Sequence, residues 1–297
     1  MKVIEKPVVF ECEGVQLIGI VHIPERPLAA GILAVAAGGI QYRVGCGRQL
    51  LSLARNLAAH GTPVMRFDHR GMGDSVGELL GFQYMDADLQ SAIDVFKENV
   101  PELLHIVLFG GCEAASGIMI SAHQLASVKS LILANPWVND SMNAVVSRRH
   151  YYQRLGDPLF WKKLITFQYN LLEYASGFFS YAKDKIVGLI SHSNNSFDES
   201  PEPTVPFQDR MLSGFQKFNG PVLFLKSGLS LISEEFDHLV DTSKPWHKAY
   251  SRAGVKRLEL PSADQTFSTA AARKEMCEAV TNWMDEVNTV HVTDEKR

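Results

Sequence analysis

Apolar segments of two kinds run along the chain. Residues 8–23 carry Val and Ile on both sides of the turn signal Glu13-Gly14, which predicts an opening antiparallel hairpin. Downstream, short continuous apolar runs alternate with segments of helical spacing: strand 29–37, helix 48–60, strand 63–67, helix 85–98, a strand leading into Cys112, a helix after it, and strand 130–134. This βαβ rhythm predicts an α/β fold with a mostly parallel central sheet.

The rhythm stops after Asn135-Pro136 and resumes with strands over 221–226 and 255–260 and a closing helix over 271–287. The intervening segment, 136–219, is helical in pattern and rich in aromatic residues, most of which we expect to form the segment's own core. We therefore expect one hydrolase-type core, 1–135 and 220–297, with a helical lid, 136–219, inserted before the last strands.

Composition excludes several classes of function. A formal net charge of −4 and the lack of a basic run give no footprint for nucleic acid. No segment is long and apolar enough to be a signal peptide or a stable membrane insertion, and the four cysteines show neither C-x-x-C pairs nor metal-ligand spacing. We expect a cytoplasmic protein with no metal and no cofactor.

The strongest chemical motif surrounds Cys112. An apolar strand ends at Gly110-Gly111, and a helix of small residues follows Cys112, so the spacing G-x-C-x-A matches a nucleophile elbow with cysteine in place of serine. The helix N-terminus would favour the thiolate, and the amide of Glu113 would bind an oxyanion. A buried cysteine in a glycine-rich turn remains the alternative at this point.

A second motif, Asp68 to Ser75, reads D-x-R-G-x-G-x-S and resembles the loop after the fourth strand of many α/β-hydrolases. A phosphate-binding loop is disfavoured, because the glycines lack G-x-G-x-x-G spacing and no Gly-Lys-Ser/Thr follows. His69 lies in this loop, where we expect it to pack rather than to act as a base. The resemblance implies an α/β-hydrolase fold.

Five motifs together resemble the exosortase A system-associated hydrolase 1 family: Gly38–Gly45, Arg66–Ser75, the elbow at Cys112, Asn135-Pro136-Trp137-Val138 and Arg149-His150-Tyr151-Tyr152. The resemblance implies a bacterial α/β-hydrolase linked to exosortase and exopolysaccharide systems, with partner enzymes of polysaccharide biosynthesis. It places Cys112 at the nucleophile position, and Gly39 and Ile40 in the loop that supplies the second oxyanion N–H.

The sequence departs from that family at two positions. Ser230 stands where the resemblance leads us to expect the acid of a triad, and Gln265 stands where it would place the histidine. The joint loss is coherent, because a buried carboxylate without its imidazolium would be an unpaired charge.

Three hypotheses follow. The first is a cysteine-dependent acyl hydrolase or acyltransferase that acts on a small ester or thioester. The second is a degenerate hydrolase-fold protein that binds a ligand or a partner enzyme. The third is an enzyme of the dienelactone-hydrolase kind that recruits another histidine to the sulfur. Five nearby acids are expected to be solvated loop or helix residues: Glu113, Glu234, Glu235, Asp237 and Asp264. His238 and His247 could reach the site only if the fold there is rearranged.

Overall fold

The computed structural model describes residues 2–36, 42–138 and 205–294. Its strands are β1 Val3–Cys12, β2 Val15–Pro24, β3 Ala30–Val35, β4 Val64–Asp68, β5 His105–Gly111, β6 Val128–Ala134, β7 Val222–Leu229 and β8 Val255–Asp264. Its helices are α1 Gln49–Ala59, α2 Asp86–Asn99, α3 Glu113–Ser121, α4 Phe207–Lys217, α5 Leu231–Thr242, α6 Lys244–Tyr250 and α7 Ala270–Asp294.

The eight strands of the described ranges form one sheet in the order β1-β2-β4-β3-β5-β6-β7-β8. The first two strands pair antiparallel with each other, and β2 pairs antiparallel with β4. From β4 to β8 every neighbouring pair is parallel. The predicted hairpin and the predicted mostly parallel sheet are both present.

Helices cover both faces of this sheet. In β5, Ile106 and Leu108 face the core that includes α2 and α3, whereas Val107 and Phe109 face the core formed with α1 and α7. Because the central parallel strands β3, β4, β5 and β6 are buried on both faces, their sequences are mainly continuous apolar runs and not alternating ones. The carboxyl ends of these strands therefore meet at one edge of the sheet.

The boundary of the predicted insertion is too wide. The chain divides into one compact unit, Met1–Asp140 with Val205–Arg297, and a second, Ser141–Thr204. Helix α4, which the sequence pattern assigns to the lid, belongs to the first unit, where Gly214 lies against the backbone of Met119 and Ile120. The predicted lid otherwise lies outside the described residues.

Helices α5 and α6 are additions to the predicted pattern between β7 and β8. Their aromatic residues Phe236 and Trp246 pack edge to face, with ring centroids 5.8 Å apart, against the same side of the sheet as α4. Within the described ranges, no helix is long and apolar enough to cross a bilayer.

Candidate active site

Cys112 occupies a strained turn between β5 and α3. Its backbone has φ 53° and ψ −126°, a conformation rare for any residue with a side chain. Its N–H donates to the carbonyl oxygen of Ala134 at 2.9 Å, and its own carbonyl oxygen accepts from the N–H groups of Ser116 and Trp137, each at 3.3 Å. Contacts on both sides of the residue thus hold the strain, as in a nucleophile elbow.

The small residues around Cys112 are required by space. A Cβ at Gly110 would lie 2.6 Å from Cδ1 of Ile118 and 2.9 Å from the carbonyl carbon of Ala114. At Gly117 a Cβ would lie 2.4 Å from the carbonyl oxygen of Phe82. Helix α3 can therefore begin directly behind Cys112 only because Gly110 has no side chain, which supports the elbow interpretation of the sequence. The lack of a side chain at Gly117 lets the same helix pack against Phe82.

Gln265 lies beside the sulfur. Its Nε2 donates to Sγ of Cys112 at 3.4 Å, although the two residues are 153 positions apart in the chain. The sheet sets this contact, because Leu229 at the end of β7 pairs with Asp264 at the end of β8. Ser230 and Gln265 are thus the next residues on neighbouring strands, as the acid and base positions of a triad require.

Ser230 caps helix α5. It is buried, and its Oγ accepts from the backbone N–H of Ser233 at 3.3 Å as the N-cap of α5. A serine is among the preferred N-cap residues because its hydroxyl satisfies one of the free amides of the first turn. The residue at the position where the resemblance predicts an acid therefore stabilises a helix end.

Asn135, which the sequence motif contained without a role, joins the loops around the site. It is buried, with φ 46°; its Oδ1 accepts from the Ser227 N–H at 2.8 Å and from the Ser233 hydroxyl at 3.0 Å. Its Nδ2 donates to the Ser227 hydroxyl at 2.8 Å and to the Gln265 carbonyl at 3.3 Å. The signal in the sequence was an Asn, tolerant of positive φ, directly after a buried strand.

A cavity of about 80 Å³ opens beside Cys112. Its lining residues are Val35, Cys46, Gln49, Leu50, Phe109, Gly111, Cys112, Ala134, Gln265, Thr266 and Phe267. The cavity therefore offers space for a small group directly beside the Cys112 sulfur. None of these lining residues is an acid, a histidine or a lysine.

Other candidate bases among the described residues do not line this cavity. His238 and His247 are exposed on α5 and α6, and His69 is buried in its loop, where burial lowers the pKa of its imidazole. Asp237 forms an ion pair with Lys226 at 2.5 Å. The third hypothesis, a recruited histidine at the sulfur, therefore has no support among the residues that line the cavity.

Asp264, which precedes Gln265, closes a turn. Its Oδ1 accepts from the N–H groups of Thr266 at 3.1 Å and Ser268 at 2.9 Å. Burial raises the pKa of the Asp264 carboxyl. Its hydrogen bonds with Ser268 and Thr266 together lower that pKa by more, so the net pKa is below the usual value. This carboxylate fixes the loop that carries Gln265.

Burial opposes the effect of the helix N-terminus on the Cys112 thiol. Burial raises the pKa of the Cys112 thiol to about 11, because charge is poorly solvated in the cavity. Hydrogen bonds from the Glu113 amide and the Gln265 side chain lower the pKa, but by less than burial raises it. The helix N-terminus therefore reduces the cost of the thiolate without making it the resting form.

The sequence predicts the backbone amide of Glu113 as one oxyanion donor. This amide forms a hydrogen bond with the thiol of Cys112, the preceding residue. Gly39 and Ile40, assigned to the second donor, lie outside the described residues. No group of three or more His, Cys, Asp or Glu side chains in the described parts of the chain could hold a metal ion.

A family model described as serine aminopeptidase, S33 (Hydrolase_4) matches residues 43–266, which contain the elbow, Ser230 and Gln265. The match spans most of the chain. The protein belongs to the Hydrolase_4 family. The α/β-hydrolase fold predicted from the sequence is thereby confirmed, whereas membership of the exosortase-associated family stays a prediction.

Solved structures agree with the fold of this Hydrolase_4 protein. The Pyrococcus furiosus esterase Pf2001 superposes with a TM-score of 0.61 at 13% identity, covering 96% of this chain and 93% of that one. Est1E from Butyrivibrio proteoclasticus, with ferulic acid bound, gives 0.58 at 15% identity over 94% and 98%. An α-β serine hydrolase homologue from Coxiella burnetii gives 0.55 at 14% identity over 93% and 96%. The sequence matches no curated protein significantly.

Proposed function

We propose that this Hydrolase_4 protein is an esterase-like acyl transfer protein that becomes acylated on Cys112 by a small ester or thioester. In this step Sγ attacks the carbonyl carbon, the bond from that carbon to the leaving oxygen or sulfur breaks, and the thiol proton leaves with the alcohol or thiol product. The observation that carries the proposal is the strained elbow at Cys112 with the Gln265 amide 3.4 Å from the sulfur.

The contacts of the sulfur support acylation without a base. The amides of Glu113 and Gln265 both lower the pKa of Cys112, so they stabilise the negative charge that appears as the thiol loses its proton. A cysteine can react through the small thiolate fraction present at neutral pH, which a serine hydroxyl lacks. In the family resemblance, Gly39 or Ile40 would supply the remaining oxyanion donor.

The same site is poor at removing the acyl group. Hydrolysis of the thioester needs a base to activate water, a contribution of about 10²- to 10⁴-fold. None of the described residues that line the cavity beside Cys112 is an acid or a histidine. Gln265 can donate to a carbonyl oxygen but cannot accept a proton from water. We therefore infer a long-lived acyl-enzyme, with transfer to a nucleophilic acceptor faster than transfer to water.

A second candidate is a binding protein without turnover. Ser230 supports it, because its hydroxyl is engaged as the N-cap of α5 and not directed to a catalytic base. In this alternative the cavity recognises a ligand or a partner enzyme. The resemblance to the exosortase-associated family suggests cytoplasmic enzymes of polysaccharide biosynthesis as the partners in either case.

Intact-protein mass spectrometry separates the two candidates. The protein is mixed with p-nitrophenyl acetate or with a short-chain acyl thioester, and the adduct is mapped to a peptide. Acylation predicts one acyl group per chain on Cys112, with a nitrophenol burst of one equivalent followed by slow release. Cys112→Ser, which keeps the size of the side chain but lacks an ionisable thiol, should show neither.

Failure of the proposal would also be visible. Nitrophenol release that persists unchanged in Cys112→Ser would contradict a cysteine nucleophile. Saturable binding of the thioester with no adduct on any residue would favour the binding-protein candidate.

A further inference from the structure

A second thiol lies in the cavity beside Cys112. Cys46 lines the same cavity of about 80 Å³ and begins the short 3₁₀ turn Cys46–Arg48 that precedes α1. Of the two other cysteines, Cys12 is buried in the core on one face of the sheet, and Cys277 is buried in the core on the other. Cys46 and Cys112 thus share a cavity, and Cys12 and Cys277 serve as control thiols within the same chain.

The two sulfur atoms are within electrostatic reach of each other. The charge of Cys46 contributes to raising the pKa of the Cys112 thiol, although it is a minor cause beside burial. All four cysteines are free. The sheet places β3 and β5 side by side, so that Cys46, downstream of β3, and Cys112, directly after β5, line the same cavity.

The backbone around Cys46 is suited to small adjustments. Gly45 and Gly47 flank it with φ of 72° and 55°, in the left-handed region that glycine adopts without strain. A disulfide needs Cα atoms about 4.4–6.8 Å apart. Closure of a disulfide therefore requires the turn between Gly45 and Gly47 to bring Cys46 within that distance of Cys112, which the elbow holds in place.

We propose that Cys46 and Cys112 are a modification site that forms a reversible intramolecular disulfide by exchange with a low-molecular-weight disulfide such as oxidised glutathione. The Cys46 thiolate attacks one sulfur of the small disulfide, whose S–S bond breaks and releases one small thiol. Cys112 then attacks the Cys46 sulfur of the mixed disulfide and releases the second small thiol. The small disulfide is reduced by two electrons, and the protein dithiol is oxidised by two.

This order of attack follows from the state of the Cys112 thiol. Burial raises the pKa of Cys112, so it is a poor first attacker, and it acts second, once the mixed disulfide lies in the same cavity. Closure of the disulfide removes the Cys112 sulfur from reaction and joins the turn after β3 to the elbow. The inference goes beyond the proposed acyl transfer and does not require it.

The test uses the full chain and glutathione buffers. Reduced protein is equilibrated at graded ratios of oxidised to reduced glutathione, quenched in acid, treated with N-ethylmaleimide under denaturing conditions, and mapped by mass spectrometry. The proposal predicts a monomer two hydrogens lighter, with Cys46 joined to Cys112 and with Cys12 and Cys277 alkylated. Dithiothreitol should restore both thiols.

Two variants and one chemical probe make the result decisive. Cys46→Ser should abolish the cross-link and leave Cys112 either free or singly glutathionylated, whereas Cys12→Ser should leave the cross-link unchanged. Dibromobimane, which fluoresces when it bridges two nearby thiols, should label the unmutated protein between Cys46 and Cys112 and so does not depend on how the variants fold.

Contrary outcomes are clear. No Cys46–Cys112 link under the most oxidising buffer, separate glutathione adducts on both thiols, or links that form only between molecules would each overturn the proposal. Because no ester is present in this experiment, its failure would leave the acylation of Cys112 untouched.

Discussion

The Cys112 thiol should be a slow nucleophile whose reactivity increases well into the alkaline range. Burial raises the pKa of this thiol from 9.0 to about 11. At pH 7 about one chain in ten thousand then carries the thiolate, roughly a hundredfold fewer than for a thiol with a pKa of 9. A more basic thiolate is more nucleophilic by about six- to tenfold over two units. The net expectation is alkylation about tenfold slower than that of an exposed thiol.

Gln265 should account for a measurable part of the remaining reactivity. Gln265→Leu keeps the size of the side chain but removes the donor 3.4 Å from the sulfur, so the pKa should rise further and alkylation at a fixed pH should slow. Gln49→Leu is the matched control, because Gln49 lines the same cavity and its side-chain oxygen has no hydrogen-bond partner.

The assay is the second-order rate of iodoacetamide labelling from pH 7 to 10.5, followed by intact mass and mapped to the Cys112 peptide. The rate should rise nearly tenfold per pH unit up to about pH 10. A plateau at or below pH 8.5 would show that the amides at the helix N-terminus outweigh burial, and would refute this account of the thiol. Equal effects of Gln265→Leu and Gln49→Leu would remove the assigned role of Gln265.

Two further predictions concern stability. His22 is fully buried beside Arg66, and burial lowers the pKa of its imidazole to about 4. This folded pKa lies below the unfolded value of 6.5, so His22 should contribute stability above pH 6.5. That contribution should be lost as the pH falls towards 4, by up to about 3 kcal/mol of unfolding free energy. Urea melts should show a shallower acid loss for His22→Gln, and equal slopes would contradict the assignment. Asn135→Ala should cost about 2–4 kcal/mol of unfolding free energy, because it leaves the buried amide of Ser227 unpaired. Asn135→Gly should cost less, because glycine accepts the positive φ. A larger loss of unfolding free energy for Asn135→Gly would contradict the argument.

The fold could be predicted from the sequence because its central parallel strands, β3 to β6, are buried on both faces. Such strands give short apolar runs that stand out from the helical spacing between them, as in β3 and β5. The elbow was also visible, since Gly110 must lack a side chain for α3 to approach the strand. Helix α4 was misassigned to the lid because its helical pattern does not say which unit it packs on.

The site was predicted less completely because its contacts are long-range. Position 265 could be assigned only through a family resemblance, and its hydrogen bond to Cys112 depends on the register of β7 and β8. The raised pKa of Cys112 depends on burial, which outweighs the helix N-terminus that the sequence pattern emphasised. Cys46 carries no motif, and its place in the cavity follows only from the order of the strands.

The central claim is that Cys112 is the nucleophile of a hydrolase site that has lost its acid–base pair. The most direct test restores the pair, with Gln265→His at the position whose side chain contacts the sulfur and Ser230→Asp at the neighbouring strand end. An aspartate can still cap α5, and a histidine held by it can activate water.

Steady-state hydrolysis of p-nitrophenyl acetate should then rise by about 10²- to 10⁴-fold in the double variant, the usual contribution of a general base. Each single variant should gain little, and the gain should vanish when Cys112→Ala is added. A folded double variant with the hydrolysis rate of the parent protein would contradict the claim.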